Sequence, residues 1–382
     1  MAERPVTICV TGLRGIPGVM GGIESHCEEL LPRIKASAPG LSLTVLGRAP
    51  YLPVPRQAYR GIEVVGVPCP RSKHFETILS TFAAILEARR RGAAIVHIHA
   101  IGPALLAPLA RLLGMRVIVT HHGTDYERAK WGPTAKAALR MGERIALRFA
   151  TRVIAISPSL ADKLRRDFPS RAAQIHDIPN GAPILPDEGR AEETLDRLGI
   201  GASPYLLAVG RLVPEKALHD LIAAHAASAT PRKLVIVGGA DHQDDYARGL
   251  LSQESERLIF AGVQPRAVLR HLFEHADLFV MPSYHEGLPI AALEAGSCGA
   301  PMLLSDIRAN RDLGLGDAHY FPVGDVAALR KAIERPSGAY AVDAAGIRSR
   351  FSWDRAAAET LAVYRELIPA PREPLLRIPA PS

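Results

Sequence analysis

The sequence predicts an α/β protein made of two doubly wound domains that face each other across a cleft. Three observations lead to this prediction. The chain has 382 residues, a length typical of two domains. Short apolar runs alternate with amphipathic helical patterns in both halves, which indicates parallel sheets covered by helices on both faces. Turn-forming residues cluster between about 181 and 203, where we expect the domain boundary.

The first half alternates predicted strands and helices, and we expect it to form a domain over residues 1–182. Its strands are predicted at 6–11, 42–47, 62–66, 94–98, 116–120 and 152–156. Its helices are predicted at 22–36, 75–91, 103–113, 134–149 and 159–167. In a doubly wound sheet the ligand crevice lies at the carboxyl ends of the strands, so the chemistry is expected in the loops that follow them.

The second half repeats the rhythm, and we expect a domain over residues 200–350. Strands are predicted at 204–209, 233–237, 257–261, 277–281 and 301–304, with helices at 216–228, 244–253, 265–275 and 288–298. The run from Leu234 to Val237 is apolar throughout, as a strand buried on both faces should be. The proline-rich tail 369–382 is predicted to be poorly ordered.

Composition favours a globular protein in a reducing compartment. Hydrophobic residues make up 48% and charged residues 22% of the chain. The four cysteines form no C-x-x-C pair, which argues against a zinc or redox motif. We see no secretory leader and no apolar run of about 18 residues, so we expect a cytoplasmic protein.

Charge is divided unevenly along the chain. Residues 1–185 contain 25 Lys and Arg against 13 Asp and Glu, whereas the remainder contains 21 against 26. The basic half could meet an anionic membrane face, a phosphorylated lipid or a nucleic acid, or could simply be a solvated surface. Arginines end helix 75–91, where cations complement the helix dipole, which explains them without nucleic acid. Helices 75–91 and 134–149 are amphipathic and carry arginine, which suggests peripheral contact with an anionic membrane at its inner face.

A glycine-rich segment, TGLRGIPGVMGGIE, follows the first strand over residues 11–24. Gly21 and Gly22 stand where helix 22–36 begins, and glycines there let the backbone approach an anionic ligand closely. The segment is not G-x-G-x-x-G, and Gly47 and Arg48 end the second strand where a dinucleotide site would need an acid. Both points argue against a nicotinamide enzyme.

Two further motifs follow strands of the second half. The first, VGRLVPEK at 209–216, brings Arg211 and Lys216 to the mouth of the crevice, where a departing diphosphate would need positive charge. The second, PSYHEGLPIAALEA at 282–295, places Glu286 in a loop and Glu294 in the following helix. A carboxylate in surroundings as apolar as those of Glu294 needs a partner, and the two hydroxyls of a ribose would satisfy it.

Together these motifs resemble the retaining GT-B glycosyltransferases of family 4, whose fold is two Rossmann-like domains facing across a cleft. The resemblance covers most of the chain. It includes the segment FSWD at 351–354, which is similar to the start of the family's last helix, here about 352–368, which crosses back onto the first domain. A weaker similarity, through the first motif, is to a subgroup of bacterial cell-surface polysaccharide enzymes that includes rhamnosyltransferases.

The resemblance implies a role for each matching residue. Arg211 and Lys216 would hold the donor diphosphate, and Glu294 would bind the ribose. Glu286 would contact the donor sugar and phosphates together with the backbone of three residues: Gly287, Leu288 and Pro289. Gly21 and Gly22 would approach the diphosphate from the first domain, and Asn180-Gly181 resembles the interdomain turn.

Histidines end two strands of the first half. The segment VTHHGTD at 119–125 is similar to a family turn in which His122, rather than His121, would face the donor sugar. Two histidines before a glycine at a strand end favour a role in a site. His97 and His99 alternate along the preceding strand, and we expect one in the core and the other at the crevice rim.

These motifs predict a glycosyl transfer that needs no cofactor and no metal. The donor would be a nucleotide-diphosphate sugar and the acceptor a carbohydrate or a lipid-linked hydroxyl. No D-x-D triplet is present, and the acidic run at 241–245 is more typical of a solvated loop than of a metal site. Two alternatives remain open: a two-domain sugar-nucleotide epimerase, and a non-catalytic basic module that would tolerate alanine at Glu286 and Glu294.

Overall fold

A computed structural model describes residues 5–70, 75–127, 132–240 and 245–368. The described residues form two separate, mainly parallel sheets with helices on both faces, which confirms the predicted fold class. The first sheet has the strand order β3-β4-β2-β1-β5-β6-β7-β8. The second has the order β11-β10-β9-β12-β13-β14.

The first sheet is parallel except for its edge strand β3, which runs antiparallel to β4. Its strands are β1 Thr7–Thr11, β2 Ser42–Arg48, β3 Arg56–Tyr59, β4 Ile62–Val67, β5 Ile95–His99, β6 Arg116–His121, β7 Arg152–Ala155 and β8 Ile175–Asp177. Sequence patterns missed β3 and β8, because a short polar strand such as RQAY or IHD has no apolar run. Both lie at a sheet edge, where burial demands less of the sequence.

Helices cover the two faces of this sheet unequally. They are α1 Gly22–Ser37, α2 Glu76–Arg90, α3 Ala107–Leu112, α4 Pro133–Phe149 and α5 Pro158–Asp167. From α2 to α5 every connection steps in the same direction across the sheet, whereas α1 steps the opposite way, from β1 to β2. Since such crossovers are right-handed, α2 to α5 share one face and α1 lies on the other.

The second sheet is entirely parallel within the described residues. Its strands are β9 Tyr205–Val209, β10 Lys233–Val237, β11 Leu258–Gly262, β12 Leu278–Met281, β13 Met302–Ser305 and β14 Tyr320–Phe321. Its helices are α6 Ala191–Arg197, α7 Leu218–Ala226, α8 Asp245–Leu251, α9 Arg266–His275, α10 Ile290–Ser297, α11 Arg308–Arg311, α12 Val326–Ile333 and α13 Ala344–Arg350. The helix predicted from 216 begins only at Leu218, because Ala217 adopts a left-handed conformation (φ 49°) after a 3₁₀ turn. Short elements such as α6, α11 and β14 escaped the sequence patterns.

The last helix, α14 Trp353–Leu367, packs against α1 of the first domain. Its apolar face joins the core of that domain, and the hydroxyl of Tyr364 lies 2.7 Å from Nδ1 of the buried His97. Arg33 of α1 forms an ion pair of 2.9 Å with Asp354 at the start of the helix. The chain therefore ends its described part on the domain in which it began, and this ties the two halves together.

The turn at Gly181 holds the start of α14, and we expect Gly181→Ala to destabilise the protein. A Cβ at this position would lie 2.5 Å from Cγ of Trp353 and closer still to its backbone nitrogen. Overpacking of this kind costs about 1–3 kcal/mol. Thermal unfolding should show a clearly lower Tm for this variant. Gly40→Ala is the matched control, because a Cβ there meets nothing within 4 Å. An unchanged Tm for Gly181→Ala would show that the turn can open at no cost.

Candidate active site

The two domains touch where loops leave β6 and β12. A Cβ on Gly287 would collide with the carbonyl oxygen of His122, and a Cβ on Gly123 would lie 3.1 Å from Cα of Gly287. Glycine is therefore required at both positions for the backbones to meet. The loop with His122 and the loop with Glu286 consequently face the same part of the cleft.

Asn180 bridges the two domains beside this contact. Its side-chain oxygen accepts a hydrogen bond of 2.8 Å from Nδ1 of His26, and its side-chain nitrogen donates to the carbonyl oxygen of Leu288 at 3.1 Å. All three residues are buried. The bridge fixes the backbone just before α10, where Pro289 is the N-cap residue. The free N–H groups of that helix start are suited to an anion.

Lys216 and Glu286 form an ion pair in the cleft. Nζ of Lys216 lies 2.5 Å from Oε1 of Glu286, and the same oxygen accepts a hydrogen bond of 2.7 Å from the hydroxyl of Ser283. The two side chains are only 19% and 10% exposed, so the pair is poorly screened by water. Sequence reasoning placed both residues at the crevice but not against each other. Arg211 lies in the same loop as Lys216, directly after β9, and is partly buried.

Glu294 lies on α10, about one helical turn after the start of that helix. It is partly buried, and burial raises the pKa of its carboxyl group to about 7, although nearby Arg266 lowers it. Arg266 itself forms an ion pair with the buried Glu29 of α1, across the domain boundary. The raised pKa shows that the ionised carboxylate lacks compensation for its burial, and hydroxyl donors from a ligand would supply it.

The glycine-rich loop after β1 is held by an internal ion pair. Oε1 of Glu24 accepts hydrogen bonds from the backbone nitrogen of Arg14 at 2.9 Å and from its Nε at 3.2 Å. A Cβ on Gly21 would collide with the Glu24 carboxylate, whereas one on Gly22 would meet nothing within 4 Å. These contacts fix the conformation of the loop, and Gly22 faces open space at the start of α1.

Four histidines of the first domain cluster near the cleft: His26, His97 and His99 are buried, and His122 is partly buried. Nδ1 of His99 lies 2.9 Å from Nε2 of His122, and the ring of His26 makes edge contacts with both. Burial lowers the pKa of all four, to about 4 for His26, to about 3 for His97 and well below the usual value for the other two. The rings are therefore neutral at pH 7 and serve as hydrogen-bonding groups.

The prediction that His97 and His99 point to different environments is wrong. Both are fully buried, and their rings stack at 4.4 Å. The reason is the strand period of two: residues i and i+2 lie on the same face of a strand.

The cluster also contains the one group of described residues that could hold a metal ion. One nitrogen from each of His26, His99 and His122 lies within 4.8 Å of the others. Nδ1 of His26 donates to Asn180, so its buried, unpartnered Nε2 carries a lone pair. The other two rings already share a hydrogen bond, which a metal would have to replace. Of the acidic run at 241–245, only Asp245 lies among the described residues, and it pairs with Arg248 at 2.5 Å.

Sequence reasoning missed a buried polar network behind the cleft. Nε2 of His121 lies 3.0 Å from Oε1 of Glu143, and the hydroxyl of Tyr126 donates to the same carboxylate at 3.2 Å. Nδ1 of His121 accepts a hydrogen bond of 3.2 Å from the backbone nitrogen of Gly123. The network orients the turn that carries His122. Glu143 lies mid-way along α4, where nothing in the local pattern distinguishes it from a surface glutamate.

The fold and this cleft define a GT-B enzyme: two doubly wound domains, with cationic and acidic side chains gathered between the carboxyl ends of their strands. Family comparisons agree. Residues 21–181 match the family described as "Glycosyl transferase 4-like domain", and residues 191–335 match "Glycosyl transferases group 1". The chain belongs to the family 4 type of GT-B glycosyltransferases, and it is a transferase.

One sequence relative supports this assignment, and two solved structures share the fold. The chain is 32% identical over 323 residues to the 2-deoxystreptamine N-acetyl-D-glucosaminyltransferase of Streptomyces fradiae, covering 79% of this chain and 74% of that one. The structure of sucrose-phosphate synthase from Thermosynechococcus elongatus matches with a TM-score of 0.78 at 22% identity, over 95% and 99% of the two chains. Anabaena HepE in complex with UDP and glucose matches with a TM-score of 0.74 at 18% identity, over 94% and 100%.

Within the part of the chain that the structure describes, no helix is both long enough and apolar enough to cross a bilayer.

Proposed function

We propose that this enzyme transfers a sugar from a nucleoside diphosphate sugar to an acceptor hydroxyl, with retention of the anomeric configuration. The observation that carries the proposal is the ion pair of Lys216 and Glu286 in the cleft, beside Arg211 and the start of α10. Transfer leaves a nucleoside diphosphate whose charge grows as the glycosidic bond breaks. Cations and helix N–H groups that are fixed in a cleft partly shielded from water stabilise that charge.

Each side chain then has a defined task. Lys216 and Arg211 hold the diphosphate, with Gly21 and Gly22 approaching it from the first domain. Glu294 accepts the ribose hydroxyls. Glu286 and the backbone of residues 287–289 position the sugar, which lies against His122.

The neutral state of His122 suits contact with a sugar hydroxyl. Burial keeps the pKa of its ring far below 7, so the ring adds no charge beside the reacting carbon. Its Nε2 faces His99, and the carbonyl oxygen of His122 lies against Gly287. His121, Glu143 and Tyr126 hold this turn in place, and thereby act as positioning residues rather than as groups that touch the substrate.

The acceptor docks on the first domain, and we propose a carbohydrate or a lipid-linked saccharide in the synthesis of bacterial surface polysaccharides or glycolipids. The net positive charge of residues 1–185 supports an acceptor that carries phosphate or sits on an anionic membrane. Transfer needs no metal under this proposal, because side chains and helix N–H groups supply the positive charge at the diphosphate. An epimerase would act on the donor without acceptor, and no observation favours it.

A thermal-shift panel with UDP, GDP, dTDP, ADP and NAD tests the proposal. One nucleoside diphosphate should raise the Tm, because a ligand at 100 times its Kd adds about 2.7 kcal/mol. The increase should persist in EDTA and should not grow when Mg²⁺ or Zn²⁺ is added. A dependence on metal would contradict the metal-free mechanism and point to the histidine cluster. The absence of any shift with the diphosphates would overturn the donor assignment itself.

A further inference from the structure

Helix α2 and its N-cap residue Phe75 carry large apolar side chains on the solvent side. Phe75, Leu79, Phe82 and Leu86 are 63%, 46%, 43% and 44% exposed. Their spacing of four, three and four residues aligns them along one stripe of the helix. The stripe runs about 16 Å at a rise of about 1.5 Å per residue.

The distribution of large apolar side chains on α2 is the reverse of that on a helix whose outer face meets water. The buried residues of α2 are mostly small or polar: Ser80, Thr81, Ala84, Ile85 and Ala88. The exposed positions between Glu76 and Ala88 are all large and apolar. An apolar stripe of this kind on the outside of a helix marks a surface that meets another apolar medium.

The neighbouring helices add positive charge to the same face. Helices α2, α3 and α4 lie side by side, since both α2 and α4 contact the 3₁₀ segment 103–106 that leads into α3. These three helices contain seven Lys and Arg residues against three Glu. On α4 the exposed residues Arg140, Arg144 and Arg148 recur every four positions and form a second stripe.

The negative charges of this face are already neutralised or buried. Glu76 pairs with Arg48 at 2.8 Å, and Glu87 pairs with Arg90 and Arg91. Glu143 is buried against His121. The surface that remains is apolar on α2 and positive on α4, the combination that binds to the interface of an anionic bilayer.

We propose that the outer face of α2, α3 and α4 docks on an anionic lipid bilayer, with the α2 stripe inserted among the acyl chains. A second copy of this chain is the less favoured occupant, because a two-fold contact through this face would bring two sets of like charges together. The amino ends of α2 and α4 follow β4 and β6, so they lie at the sheet edge that carries the cleft. The consequence for catalysis rests on the proposed function: docking would hold a lipid-linked acceptor beside the donor.

Vesicle co-sedimentation of the full chain tests the proposal. Three proteins are compared: the native chain, the variant Leu79→Ser/Phe82→Ser, and the variant Arg140→Gln/Arg144→Gln/Arg148→Gln. Vesicles of phosphatidylcholine alone and of phosphatidylcholine mixed with phosphatidylglycerol are used at low and at high salt. The native chain should bind the anionic vesicles at low salt, and each variant should lose binding by about tenfold or more.

Matched controls come from the second domain and the linker. Ile184→Ser/Val323→Ser removes two exposed apolar side chains, and Arg190→Gln/Arg248→Gln/Arg311→Gln removes three exposed arginines. Both should bind vesicles as the native chain does. Equal loss in the controls, or no binding of the native chain to anionic vesicles, would overturn the proposal.

Two further measurements distinguish membrane docking from self-association and from damage to the donor site. Sedimentation without lipid would assign the face to a second copy if the native chain were a dimer and the α2 variant a monomer. The nucleotide-induced rise in Tm, measured without vesicles, should be the same in all five proteins. If a variant loses vesicle binding but keeps the nucleotide-induced rise in Tm, its substitutions affect the docking face alone. If the native chain shows no rise in Tm with nucleotide, the donor-site assignment fails, whatever the vesicle result.

Discussion

Replacing Lys216 by alanine is expected to lower kcat by about 10²–10³, the usual effect of removing one group that stabilises charge in a transition state. The Lys216 side chain is 19% exposed, and its Nζ lies 2.5 Å from Oε1 of Glu286, so its charge acts in a cleft that is only partly open to water. The loss should appear mainly in kcat, because the negative charge of the diphosphate grows as the bond to the sugar breaks. Steady-state kinetics with the donor named by the thermal-shift panel measure it.

Two control variants test whether the effect comes from the charge at position 216 and not from the loss of any lysine. Lys216→Arg keeps the charge and should retain more activity than the alanine variant. Lys233→Ala removes another lysine, whose Nζ donates to the carbonyl oxygens of Gly199 and Ile200 away from the cleft, and should leave kcat unchanged. The proposed role fails if Lys216→Ala, with a native Tm, keeps kcat within about threefold.

Replacing Glu294 by glutamine is expected to weaken nucleotide binding by about 10–100-fold, because hydrogen bonds to a carboxylate are roughly twice as strong as those to a neutral amide. Affinity of the native chain should also fall as the pH drops below 7. The pKa of Glu294 is about 7 in the folded protein without ligand, so the ionised form that the ribose hydroxyls prefer is lost there. In Glu294→Gln this pH dependence should disappear. Titration calorimetry from pH 5 to pH 8 measures both effects.

The same carboxyl group links pH to stability, and the direction is fixed by its pKa. The pKa rises from 4.5 to about 7 on folding, so between these values the folded chain holds more protons than the unfolded one. The free energy of unfolding therefore falls as the pH rises through this window. Without ligand, Glu294→Gln should gain stability relative to the native chain at pH 8 and lose that gain at pH 5. The exposed Glu256→Gln should show neither effect, and equal pH profiles for all three proteins would contradict the assignment.

Local sequence patterns were sufficient to predict the main strands and helices. The long apolar strands and amphipathic helices were predicted with small errors at their ends, because side-chain periodicity reports directly on burial. The motifs were predicted to follow strands, and the structure places each of them there: Gly21 after β1, His122 after β6, Arg211 after β9 and Glu286 after β12. Their roles remain predictions.

Short elements were missed for the opposite reason. The strands β3, β8 and β14 contain four, three and two residues, too few to show a period. Their place in the sheets comes from pairing with strands that are already formed. The late start of α7 depends on the left-handed Ala217, a conformation that the alanine itself does not signal.

The fold class, the family and the loops that line the cleft could be predicted from the sequence, since they depend on periodicity and on motifs of about fifteen residues. Which side chains meet depends instead on tertiary packing. Lys216 and Glu286 are 70 positions apart, and His26 and Asn180 are 154 apart. Tertiary packing also turned the large apolar residues of α2 outward. Periodicity places such residues on one face of a helix, but which face meets solvent depends on how the helix packs against the sheet.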